Sequence, residues 1–213
     1  MPDDGKVSET RGTAPLWDAA YGHGDTTRSW FEPHAVQSLR LLDRCGVGPA
    51  ASVIDVGGGA SPLVDALLDR GHTDVTVLDI SAVGLDIARS RLGARADAVT
   101  WLVADLLTWQ PSRSYAVWHD RAVLHFLTTD DARAHYVDAL KAATSAGAVA
   151  VLATFAPDGP ETCSGLPVRR HDADDLAALL GDSWEPIAVD REEHVTPSGG
   201  VQPFTWVAFR RLA

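Results

Sequence analysis

The chain has 213 residues, 46% of them hydrophobic and 22% charged, proportions of a folded globular protein that exclude a largely disordered one. Eighteen Lys and Arg stand against 29 Asp and Glu, for a formal net charge of −11. A surface that acidic repels phosphate backbones and argues against a nucleic-acid partner. The two cysteines, Cys45 and Cys163, are too few and too far apart for a disulfide framework or a thiolate zinc site, so no metal is expected.

Residues 1–15 are polar and acidic, without the apolar core of an export signal. They read as a flexible leader, and a cytoplasmic setting is the expectation. The longest apolar run, 146–153, is far shorter than the ~20 residues of a membrane helix. Residues 16–213 read as one domain, opening on a lid helix over about 16–45.

From residue 51 onward, short apolar runs alternate with helical patterns, the rhythm of a parallel sheet covered by helices. Residues 51–56 form a buried strand that ends in glycines. Pro62 suits the first turn of the helix that follows, and Gly71 its stop. Residues 74–78 are the second strand. Ser81 caps a helix whose Leu85, Ala88 and Leu92 share one face, with Gly93 at its end. Strands follow at 99–103 and 114–118. Thr129 caps a helix with Asp130 and Asp131 in its first turn, where carboxylates complement the helix dipole. The run 149–155 is apolar on both faces and therefore a central strand. Asp172 opens a helix closed by Gly181. Two last strands, 187–195 and 204–210, are joined by the turn TPSGGVQP as an antiparallel hairpin. The predicted fold is α/β, a Rossmann-like, seven-stranded, mostly parallel sheet closed by a C-terminal hairpin, with helices on both faces.

The chemistry concentrates at strand ends. The first strand runs into Asp55-Val56-Gly57-Gly58-Gly59-Ala60-Ser61-Pro62. Glycines there let a backbone approach a ligand closely and lead into a helix N-terminus. Asp79 ends the second strand, where a carboxylate accepts hydrogen bonds from ribose hydroxyls. A dinucleotide fingerprint needs a third glycine where this chain has Pro62. Asp55 would repel a pyrophosphate, but it suits a cationic amino group. Asp105, after the third strand, is placed to read an adenine amino group.

VIDVGGGAS (53–61), VLDIS (77–81), VADLL (103–107), VWHDRAVLHF (117–126) and the closing hairpin together resemble the class I S-adenosylmethionine-dependent methyltransferases. The resemblance implies S-adenosyl-L-methionine as cofactor. It places Asp55, Gly57, Gly58 and Gly59 at the methionine portion, Asp79 at the ribose, Ile80 and Leu106 against adenine, Asp105 at its amino group, and His119 beside the cofactor. Ser61 departs from the third glycine of many members. Trp17-Asp18-Ala19-Ala20-Tyr21, then Gly24-Asp25 and Ser29-Trp30, resemble the opening of thiopurine- and tellurite-type members. There Tyr21 and Trp30 would close over the sulfonium, with cation–π attraction worth about 0.5–2 kcal/mol, or else pack the first helix onto the sheet, as Trp17 does.

His119, Asp120, Arg121 and His125 are expected on a loop after the fourth strand. Asp120 and Arg121 would orient each other and the acceptor, or tie the loop to a helix. His125 is a candidate base, or a satisfied polar contact. The long loop 154–167 would cover the acceptor, with Cys163 as a pocket thiol or a small buried hydrophobe. The resemblance therefore implies methyl transfer to a small-molecule nucleophile, a thiol or other soft heteroatom. A protein-lysine methyltransferase is the alternative, and an NAD-dependent oxidoreductase a remote one.

Overall fold

The computed structural model describes residues 13–24 and 26–213. Most of the expected leader and Asp25 lie outside the described residues. The helix α1 (Ala14–Gly22) begins inside the expected leader, with Pro15 in its first turn, a position that needs no backbone N–H. The single lid helix expected over 16–45 is two helices, α1 and α2 (Val36–Arg44). Gly22, Gly24 and Pro33 fall in or beside the stretch between them and do not sustain a helix.

One seven-stranded sheet organises the rest. Its strands are β1 (Val53–Val56), β2 (Val75–Asp79), β3 (Val99–Val103), β4 (Tyr115–Arg121), β5 (Thr144–Phe155), β8 (Trp184–Val195) and β9 (Val201–Arg211), in the order β3-β2-β1-β4-β5-β9-β8. The first five in that order run parallel, and β9 pairs antiparallel with both β5 and β8. Strand order reverses between β1 and β4. That switch point opens a crevice at the carboxyl ends of the strands.

The expected caps form. Ser81 accepts from Gly84 N at the start of α4 (Ala82–Leu92). Thr129 accepts from Ala132 N at the start of α5 (Asp130–Ala142). Asp172 forms a capping box with Asp175 on α6 (Ala173–Leu180). Each such cap is worth about 1 kcal/mol. Apolar residues on alternate strand positions feed two cores, one on each face of the sheet. Val53, Val117 and Val151 pack on one side with α2 and α3 (Leu63–Asp69); Ile54, Trp118 and Leu152 pack on the other with α5. Ala150 to Ala153 are 0% exposed, so β5 is central as expected.

Several boundaries differ from expectation, among them the start of β5, at Thr144 rather than 149. Both hairpin strands are longer, leaving a turn of residues 196–200 with Gly199 at φ +85°. The loop after β5 carries its own small hairpin, β6 (Thr162–Cys163) and β7 (Leu166–Pro167). Its turn residues Ser164 and Gly165 both have positive φ, as a two-residue hairpin turn requires. Most consequentially, β4 continues to Arg121, pairing Asp55 with His119 on one side and Arg121 with Ala153 on the other. His119, Asp120 and Arg121 are strand residues, not loop residues.

Candidate active site

At the switch point the β1 carboxyl end enters the glycine loop. Gly57 takes φ +68° and donates to Leu78 O at 2.7 Å. A Cβ on Gly57 would overlap Val123 Cγ2, and one on Gly59 (φ +42°) would overlap the Tyr21 hydroxyl. Both positions therefore need glycine for backbone geometry and for space. Gly58 lies against Asp55 Oδ2, which a Cβ there would approach to 2.5 Å.

Asp55 and His119 face each other across β1 and β4, both nearly fully buried. His119 Nδ1 lies 2.7 Å from Asp55 Oδ1, and His119 Nε2 lies 3.0 Å from Ser38 Oγ on α2. With Nδ1 donating to the carboxylate, the Ser38 hydroxyl donates to Nε2, and the ring is held at both nitrogens. Asp55 Oδ2 is buried with no hydrogen-bond partner. A buried acceptor left unsatisfied costs about 1–3 kcal/mol, so this atom is poised for a donor that a ligand brings.

Asp79, at the end of β2, accepts from Ser81 N at 2.7 Å. Burial pushes its carboxyl up to about 7; backbone N–H groups of Ser81 and Gly59 pull the other way, and Asp55 and Asp18 add to the rise. Asp105 Oδ1 accepts from Leu107 N at 3.1 Å, which fixes the turn after β3. These groups line one cavity of about 160 Å³. Tyr21, Trp30, Asp55, Gly57, Gly58, Asp79, Ile80, Asp105, Leu106, His119 and Arg121 all border it. Gly59 does not border it, and instead packs beneath Tyr21.

The roof is aromatic. Trp17 meets Trp30 edge to face at 5.8 Å and Phe126 at 5.0 Å, and Tyr21 meets Trp30 at 6.1 Å. Trp17, expected only to pack the helix, both packs and borders the cavity. Two interactions hold α1 in place. Asp18 accepts from Ser81 Oγ at 2.6 Å and from Val83 N at 3.2 Å, capping α4 from outside. The Tyr21 ring lies on Gly84, where a Cβ would come within 2.7 Å of it.

Period-two alternation along β4 separates three of the four residues expected around the acceptor, and the fourth, His125, lies beyond the strand. His119 and Arg121 face the cavity. Asp120 points through the opposite face, fully buried, and accepts from Val123 N, Leu124 N and the Tyr136 hydroxyl. It does not touch Arg121; it anchors the turn after β4 to α5. That turn begins at Ala122 with φ +74°, a left-handed conformation unusual for alanine and often found at functional sites. His125 is 0% exposed, away from the cavity, ringed by Phe126 at 4.5 Å and Phe155 at 4.6 Å. Neither ring nitrogen has a partner, and burial pushes its pKa down to about 3, helped by His171 and Arg121. It is a core histidine held neutral.

Arg121 braces three segments. It donates to Trp30 O at 2.9 Å, lies 3.3 Å from His194 Nδ1 and sits over the Phe204 ring at 4.9 Å. Its Nε lies 3.6 Å from Glu32 Oε2. Cys163 is 4% exposed and borders the cavity, joining both roles expected of it. Sequence reasoning missed Ser38, Glu32 and Val123. Only the Trp-Phe-Glu-Pro run at 30–33 carries a visible signal, an acid set directly among aromatics.

The site fits S-adenosylmethionine. The orphaned Asp55 Oδ2 suits its ammonium group, the glycine loop admits close backbone approach, Asp79 suits ribose hydroxyls, and Ile80, Asp105 and Leu106 suit adenine. Residues 53–147 match the family described as "Methyltransferase domain". Fold and cleft agree with that match, which covers under half of the chain. Among solved structures it is similar to the SAM-dependent methyltransferase of Anabaena variabilis (14% identity, 98% of this chain and 100% of that one, TM-score 0.74). It is also similar to 1,6-didemethyltoxoflavin-N1-methyltransferase of Burkholderia thailandensis, solved with 1,6-didemethyltoxoflavin and S-adenosylhomocysteine bound (19% identity, 100% and 94%, TM-score 0.72). At these identities the likeness is one of fold. Mouse eEF1A lysine and N-terminal methyltransferase is 27% identical over 128 residues, 59% of this chain and 18% of that protein. The chain matches under half the length of each such curated relative.

Proposed function

We propose that the protein transfers the methyl group of S-adenosylmethionine to a small-molecule nucleophile. The orphaned, buried Asp55 Oδ2 carries this reading. It asks for a cationic donor beside a glycine loop, and it would oppose the pyrophosphate of a dinucleotide. S-adenosylmethionine supplies an electrophilic methyl group when bound. The chain's own residues do the rest. Asp55 and His119 hold the methionine end, Asp79 the ribose, and Ile80, Asp105 and Leu106 the adenine. Trp17, Tyr21 and Trp30 cover the reacting end and exclude water.

An in-line displacement needs the nucleophile held about 3–3.5 Å from the methyl carbon, and that placement supplies most of the acceleration. Residues 16–213 act as one catalytic unit, with α1 and the stretch to α2 as its lid. The aromatic roof supports a small acceptor. A second reading, a protein-lysine methyltransferase, is favoured by the curated relatives, whose names specify eEF1A lysine methylation. Incubation with labelled S-adenosylmethionine against thiols, selenols, amines and carboxylates, and separately against cell lysate, tests both. Turnover of a small compound supports the first reading. A labelled protein band with no small-molecule turnover supports the second and contradicts the first.

A further inference from the structure

Among the described residues, Glu32 is the one carboxylate of the cleft with no assigned partner in the cofactor. The cofactor groups follow the strand order, from Asp105 after β3, through Asp79 on β2, to Asp55 on β1 and His119 on β4. Glu32 lies beyond them, beside Arg121, at the end left for the acceptor. Its side chain is 11% exposed. The Arg121 guanidinium is its ion-pair partner at 3.6 Å, too long for a hydrogen bond, so its lone pairs remain available. Glu32 and Phe31 also border a second depression of about 250 Å³, which continues outward past His34, Gln37, Glu192 and Val195. Glu32 thus stands where the cofactor cleft meets an outer approach.

We propose that the methyl acceptor is an aliphatic amine and that Glu32 is the carboxylate that receives it. The proposal deepens the methyl-transfer reading and rests on it. An ammonium group entering from the outer depression meets two acids, Glu32 and Glu192, and then the aromatic faces of Trp17, Trp30 and Phe31. A cation is attracted by both kinds of surface. A neutral thiol carries no positive charge for either surface to attract.

An amine reacts only through its free lone pair. Glu32 takes one proton from the ammonium, which frees that pair. The pair then forms the N–C bond to the methyl carbon as the C–S bond breaks, and its electrons go to sulfur. The product leaves as the N-methylammonium, and Glu32 releases the proton it took to solvent, which restores the carboxylate. Low dielectric favours the neutral acid and amine over the ion pair. Burial likewise raises the Glu32 carboxyl above its ordinary value, and Arg121 opposes that rise. The other charged and titratable groups acting on Glu32 are Glu192 from β8, His119 from β4 and Asp55 from β1. His194 on β8 is engaged with Ser29 O and Arg121.

The test compares small primary and secondary amines, lysine-containing peptides and matching thiols, with S-adenosylhomocysteine affinity measured on every variant. Amines or peptides turn over in preference to thiols, and the better of the two arms identifies the source of the amine. Glu32→Gln lowers kcat/KM for the amine by about 100-fold, the ordinary scale for a lost general base, and abolishes the acid limb of the pH profile. Its S-adenosylhomocysteine affinity stays within about threefold of wild type, and Glu32→Asp recovers part of the rate. Thiols turned over in place of amines, an E32Q enzyme that keeps its amine rate, or one that loses S-adenosylhomocysteine binding would each overturn the proposal. Failure of the wild-type protein to bind S-adenosylhomocysteine would instead overturn the methyl-transfer reading beneath it.

Discussion

Asp79 and His125 are both buried, and their titrations have opposite signs. Asp79 is raised to about 7 in the free protein, yet the proposed function has its ionised carboxylate hold a ribose. Cofactor affinity should therefore fall as pH drops through that value. Between pH 8 and pH 6 the S-adenosylhomocysteine Kd should rise about tenfold, and Asp79→Asn should flatten the dependence; an unchanged Kd would contradict this role. His125 is lowered to about 3 from an ordinary 6.5. The unfolded chain therefore binds its proton first as pH falls. The stability of its neutral form is intact above about pH 6.5 and declines toward pH 3. By pH 5 the loss is about 2 kcal/mol. Asp79 and Asp120, both raised, gain stability over the same interval, so total stability conceals the effect. The difference between His125→Leu and wild type isolates it. Urea unfolding at pH 7.5 and pH 5.0 should show the variant gaining about 2 kcal/mol relative to wild type on acidification. Equal changes in both proteins would count against a buried neutral histidine.

At the scale of elements, β4 and α1 decide the site. Residues 119–121 look like loop because three ionisable groups follow an apolar strand. The structure continues the strand through them, since Asp55 and Ala153 supply ladder partners on both sides. Those partners are distant in sequence, and local pattern does not reveal them. Alternation then divides the cluster, sending His119 and Arg121 to the cleft and Asp120 to Tyr136. The placements of Asp55, Asp79 and Asp105 were legible because each closes a clear apolar run. Ser38 and Glu32 were not, because α2 and the stretch before it dock by tertiary contact alone. Helix α1 is held largely by Asp18 capping α4. Asp18→Ala should cost about 1 kcal/mol of that docking. Hydrogen exchange should speed over residues 14–22 with the sheet unaffected, and S-adenosylhomocysteine should bind more weakly. Unchanged exchange in α1 would mean that Tyr21 on Gly84 suffices to hold it.

For the whole molecule, the alternation of strands and helices and the closing hairpin were enough to read the sheet. The small hairpin β6–β7 was not, because four strand residues in a Pro- and Gly-rich loop leave no periodic signal. Among the described residues no helix is long and apolar enough to cross a membrane. The net charge of −11 gains local meaning. Asp55, Asp79 and Asp105 line the cleft proposed for the cofactor, and Glu32 and Glu192 the depression proposed for entry of the acceptor. The central claim is that this cleft holds S-adenosylmethionine, and calorimetric titration with S-adenosylhomocysteine tests it most directly. The account predicts saturable one-to-one binding, weakened at least about 100-fold by Asp79→Ala through loss of two charge-assisted hydrogen bonds, and no binding of NAD. Absence of S-adenosylhomocysteine binding, or saturation by NAD in its place, would contradict it.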